Sequence, residues 1–131
     1  MRSLRRAGFF REVRHGDPQG PSLTDLARPA APPNEDRVVA YLRSGEVIAS
    51  TSVVVDDVLN PSRRGIAVLE IATDGVWAWP TDLTHYVQSY HVSLPEDFAL
   101  HMERHGWAAP RLSEAKIARA SVALKSGDTE E

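Results

Sequence analysis

The sequence predicts an α+β fold: a small antiparallel sheet of three to four strands packed by helices, with an N-terminal arm. Three observations carry that expectation. The β-branched and small residues of Glu46 to Val55, and again of Ile66 to Thr73, form strand-like runs. Asp74-Gly75 then supplies a strong hairpin signal, because both central positions of a type I′ turn need positive φ. Downstream, Leu83, Tyr86, Val87 and Tyr90 recur at i, i+3, i+4 and i+7, the spacing of one helix face.

Residues 1–33 read as a basic arm and connector packed on the main body. Five arginines face the single acid Glu12 within residues 1–16, and Phe9, Phe10 and Val13 are the apolar anchors. Ser22-x-x-Asp25 marks a short helix start, and Pro29-Ala-Ala-Pro32-Pro33 is too stiff to continue one. Residues 34–126 form the α+β domain. Asn34 is an N-cap with Glu35 and Asp36 in the first turn, Val38, Tyr41 and Leu42 share a face, and Gly45 stops the helix. Ile66 to Thr73 is apolar on both faces until Glu70, which suggests a central strand. Val76 to Trp79 returns from the turn and Pro80 closes it. Thr81 or Asp82 caps the next helix, Pro95 opens another that ends before Gly106, and a last helix runs from Ser113 to Lys125. Residues 127–131 are an acidic tail expected to fray.

Composition narrows the function classes. Hydrophobic residues make up 42% and charged residues 25% of 131, the balance of a globular chain, and the net charge of −3 offers no overall pull on nucleic acid or anionic lipid. The chain has no cysteine, which removes disulfides, thiolate zinc sites and thiol nucleophiles together. No apolar run approaches the ~18 residues of a membrane span, and the basic N-terminus lacks a signal-peptide core. A cytoplasmic protein without membrane attachment is expected.

Catalytic signatures are weak. His101 and His105 stand at i and i+4 and share a helix face, the spacing of two metal ligands. The glutamate of a metalloprotease helix is absent: Met102 follows the first histidine, Arg104 precedes the second, and Glu103 lies on another side. The plain alternative is that His105 caps the helix C-terminus. No Gly-x-Ser-x-Gly elbow and no phosphate loop occurs. Asp56 and Asp57 are adjacent, so on a strand they point apart and suit edge protection or a solvated loop better than a shared proton or metal. The expectation is no enzyme, no cofactor and no bound metal. The arginine arm, with Phe9 and Phe10 interleaved, supports an alternative role in nucleic-acid association.

The richest feature is aromatic. Trp77, Trp79, Tyr86, Tyr90, Phe98 and Trp107 fall close together, with both strand tryptophans on one side. They read first as core. Trp77, Trp79, Tyr86, Tyr90 and Trp107, together with Asp56 and Asp57, are also the candidate partner-binding residues, because Trp and Tyr anchor protein contacts.

The run from Thr73 to Tyr90, followed by Leu94-Pro-Glu-Asp-Phe98, resembles a pattern in small uncharacterised actinobacterial proteins. Size, acidity and lack of cysteine resemble the immunity proteins of bacterial toxin systems. Leu94 to Phe98 also looks like the opening helix of the SUKH immunity superfamily, where it precedes the sheet; here it follows the strands. What the resemblance implies is a cytoplasmic, non-catalytic protein that binds and blocks a cognate toxin. The expected function is therefore a protein-interaction module of that kind, with a nucleic-acid regulator and a His101/His105 metalloenzyme as alternatives.

Overall fold

The computed structural model describes residues 4–126 and 129–130. Along the chain come β1 (Leu4–Arg6), α1 (Leu23–Leu26), α2 (Glu35–Arg43), β2 (Glu46–Val55), β3 (Ala67–Thr73), β4 (Trp77–Pro80), α3 (Leu83–Tyr90), α4 (Glu96–Arg104), α5 (Glu114–Ser126) and β5 (Thr129–Glu130). The α+β class holds, with one sheet in the order β2-β3-β4-β1-β5.

β2, β3 and β4 are antiparallel as expected, and β3 is interior. The arm is where the architecture differs. Residues 4–6 are not laid on the outside of the body but inserted as β1, parallel to both β4 and β5, so the sheet is mixed. Leu4, Ala7, Phe9, Phe10 and Val13 are all buried, which is why the segment goes inside despite its arginines. Two of the arginines find local contacts. Arg5 pairs with Asp97 and lies 4.3 Å over the Trp77 ring, and Arg6 lies 5.1 Å over Phe9. Of the expected tail, Gly127, Asp128 and Glu131 lie outside the described residues, and Thr129–Glu130 pair with β1.

The alternation of β4 divides the core in two. Trp77 and Trp79 face α2, α3 and α4 across a cluster that includes Tyr41, Leu83, Tyr86, Phe98 and Met102. Ala78 faces the other way, against Leu4, Ala120 and Ala123, so α5 covers the opposite side of the sheet. Phe98 stacks on Trp77 at 4.6 Å and also contacts Trp79 and Tyr41. Trp79 donates Nε1–H to the Leu42 carbonyl at 3.0 Å, and its ring fills the space beside Gly45, where an added Cβ would meet it at 2.6 Å.

The hairpin is real, but its turn is not the expected one. Thr73 pairs with Ala78, and the central positions are Gly75 and Val76, with positive φ at Gly75 (95°) and not at Asp74. The register moves by two relative to a type I′ turn at Asp74-Gly75, so both tryptophans keep the same face. The cause is the Asp74 side chain, which takes the Val76 and Trp77 N–H groups itself. Caps are mostly positional: Asn34 and Asp82 occupy N-cap sites without making a side-chain cap bond. At the end of α4, Gly106 N–H donates to Glu103 and Trp107 N–H to Met102, the paired bonds of a Schellman motif.

Candidate functional site

Two buried carboxylates organise the polar interior in the same way. Asp74 is 2% exposed and Asp57 1%. Each stands at the start of a loop and uses Oδ1 to accept backbone N–H groups two and three residues on. These are Val76 and Trp77 at 2.9 and 2.7 Å for Asp74, and Leu59 and Asn60 at 2.8 and 3.1 Å for Asp57. Each then turns Oδ2 toward one tyrosine and one histidine from the helices. His85 is hydrogen-bonded to Asp57, whereas His101 is close to Asp74 but poorly aligned for a hydrogen bond. Tyr41 donates to Asp74 at 2.6 Å, with His101 Nε2 3.1 Å away; Tyr90 donates to Asp57 at 2.7 Å, with His85 Nε2 also at 2.7 Å.

The electrostatics follow from this crowding. Burial alone would raise the Asp57 pKa, but His85, Tyr90 and the two backbone donors outweigh it and hold the carboxyl below its ordinary value. Tyr41 and Tyr90 are pushed up, by burial first and then by the carboxylate each one faces. Tyr86 rises to about 12, chiefly through burial. Every oxygen of the two carboxylates accepts at least one hydrogen bond from within the fold. The pairs are turn-to-helix ties. A third tie lies between α3 and the N-terminal segment: His15 Nε2 is 2.9 Å from Asp82 Oδ2, close but poorly aligned for a hydrogen bond. A fourth joins α3 to α2, with His91 Nδ1 2.8 Å from Glu35.

His101 and His105 do come together, with ring centroids 4.4 Å apart. His101 is turned toward Asp74, while His105 takes the C-cap position and places Nδ1 2.9 Å from the His101 carbonyl. Among the described residues no group of three His, Cys, Asp or Glu side chains is arranged to hold a metal ion. Burial lowers the His101 pKa, His105 and Arg104 add to this, and Asp74 opposes without cancelling it. The unfolded chain therefore takes up this proton before the folded one. Stability from this group falls as pH drops below the ordinary histidine value of about 6.5. Melting temperature should decline between pH 7 and 5, and decline less steeply in His101→Gln; equal slopes would remove His101 as the cause.

The candidate partner residues scatter between core and surface. Trp77, Trp79 and Tyr86 are 3%, 0% and 0% exposed, so no partner reaches them. Tyr90 is half-buried with its hydroxyl committed to Asp57, and Trp107 is half-buried against the main core. Asp57 is enclosed, whereas Asp56 is exposed and accepts the Gly65 N–H at 2.8 Å. Phe9 and Phe10 are buried, so neither is available to stack on a base.

The exposed apolar surface lies elsewhere, on the β2–β3 ribbon. β4 pairs only with Ile71 to Thr73, so the far half of the ribbon extends past it. Val53, Val54 and Val68 are 55%, 58% and 48% exposed, and Val58 in the following loop 41%. Val54 lies directly across from Val68. From Glu46 to Val55 β2 advances nine residues while β3 moves six from Thr73 to Ala67, so bulges twist the ribbon. β2 is also the sheet edge, with β3 as its sole neighbour in the strand order. The sequence marks Val53-Val54-Val55 as strand; an apolar run of this kind ordinarily signals burial, and nothing local shows that the neighbouring strand is too short to cover it. Comparison with protein families, with curated proteins and with solved structures finds no match. No helix among the described residues is long and apolar enough to cross a membrane.

Proposed function

We propose that the chain is a non-catalytic protein-interaction module that engages its partner through the β2–β3 ribbon. In its most concrete form it is an immunity-type inhibitor that covers the active site of a bacterial toxin in the cytoplasm. The observation that carries the reading is the exposure of Val53 and Val54 on the edge strand β2, with Val68 of β3 exposed across from Val54. Exposed aliphatic residues beside an unpaired strand edge suit an extended segment of another protein, which adds backbone hydrogen bonds and buries the valines. The net charge of −3 suits a partner that itself binds nucleic acid, since inhibitor and substrate then carry the same sign. The commitment of both buried aspartates to turn-locking supports a role without chemistry.

The test pairs the chain with the product of the adjacent gene. Co-expression is expected to relieve that product's toxicity and to give a stoichiometric complex. The exposed substitution Val54→Glu, combined with Val68→Glu, should weaken the complex at least tenfold while leaving the melting temperature within a few degrees. Unchanged binding by the double variant would exclude the ribbon. Absence of both rescue and complex would exclude the inhibitor reading.

A further inference from the structure

We infer that the cleft between α5 and the β3–β4 turn binds a small amphipathic anion, a carboxylate on an aliphatic body. The cleft measures about 500 Å³, within the range of small-molecule sites. Its floor is apolar, formed by Leu4 from β1, Val76 from the turn, Leu112 from the connector and Ala120 from α5. Its rim carries Arg111, Lys116 and Arg119, all exposed. None of the three makes an ion pair with a described residue.

This grouping runs against the charge of the molecule as a whole. In a chain of net charge −3, three cations converge on one apolar recess. α5 supplies both halves of the arrangement: Lys116 and Arg119 project at its rim, while Ala120 and Ala123, four and seven residues after Lys116, leave the recess open beneath. Asp74 is the single carboxylate in the lining. It is buried and bonded to Tyr41, Val76 and Trp77, and its one negative charge is outnumbered by the three exposed cations at the rim.

The same residues select the ligand's body. Among the described lining residues His105 is the sole aromatic ring, which gives a nucleobase nothing extended to stack on, whereas aliphatic side chains match an aliphatic chain. An anionic head gains charge-assisted hydrogen bonds from guanidinium and ammonium groups, and a body buried on the floor gains hydrophobic stabilisation. Both parts are needed.

Sodium octanoate is the probe, titrated into the full chain and followed by amide shifts and calorimetry, with octanol and inorganic phosphate as the body and the head alone. Octanoate is expected to saturate at one equivalent, shifting the amides of Gly75, Val76, Leu112 and Ala120. Octanol and phosphate should each bind at least tenfold more weakly. Lys116→Glu with Arg119→Glu should cost octanoate at least tenfold at an unchanged melting temperature; Arg111→Glu, outside the helix, repeats the test if α5 is perturbed. Shifts located elsewhere, octanol or phosphate binding as tightly as octanoate, or charge reversals without effect would each overturn the assignment. The ribbon plays no part in this test, so its outcome is independent of the partner-binding proposal.

Discussion

Replacing Asp74 with alanine is expected to destabilise the protein by about 3–5 kcal/mol, a large share of the stability of a domain of this size. The carboxylate is 2% exposed, holds the β3–β4 turn to Tyr41 of α2 and faces His101 of α4. Its removal leaves the part-buried Val76 N–H and the buried Trp77 N–H and Tyr41 hydroxyl without their acceptor. Each orphaned donor costs about 1–3 kcal/mol before relaxation. The turn is equally exposed to the change, because the side chain and not a type I′ backbone sets its shape. Asp74→Asn should be milder: its amide oxygen can still accept the two backbone donors, and the Tyr41 hydroxyl can rotate to accept from the amide nitrogen. Urea unfolding of the two variants followed by tryptophan fluorescence separates these cases. Equal losses would mean that the charge, and not the hydrogen-bond geometry, is what matters.

Trp79→Ala is expected to be comparably severe. Its ring is fully buried, packs on Tyr41 and Phe98, and fills the space beside Gly45. Truncating such a side chain costs about 3–5 kcal/mol through lost transfer energy and the cavity left behind. The Leu42 carbonyl also loses the donor it has at 3.0 Å. For a chain of this length the loss corresponds to a fall in melting temperature of about 10–20 °C. Trp77→Ala should be similar, given its 3% exposure and its stack on Phe98. Val54→Ala, at 58% exposure, should stay within about 0.5 kcal/mol of the parent. If either tryptophan variant melted like Val54→Ala, the packing of β4 against α4 would be wrong.

The contrast between these sites shows what sequence pattern carries and what it does not. β-branched composition located β2 and β3, and helical spacing located α3, each to within a residue or two. The position of β1 was not legible. Three residues with two arginines read as part of an arm packed on the body, and not as a sheet strand, until Trp77 and Asp97 are seen to receive Arg5. The turn failed for a related reason: Asp74-Gly75 reads as backbone chemistry, whereas the aspartate acts through its side chain. An aspartate followed by a short loop does carry a signal for such a side-chain turn, at Asp57 as well as Asp74. The tyrosine and histidine that complete each tie come from distant helices and have no local signature. The candidate interface moved for a third reason. Aromatic residues marked the core, and the exposed surface came from valines whose covering strand is too short, a property of the whole sheet.

The most direct test of the ribbon as the partner surface is amide hydrogen exchange, read residue by residue on the free chain and on its complex with the adjacent gene product. Docking at the β2 edge predicts slowed exchange in residues 50–55 and 66–69, with residues 83–104 unchanged. Protection confined to residues 83–107, or to α5 and the cleft beside it, with the ribbon exchanging as in the free chain, would contradict it.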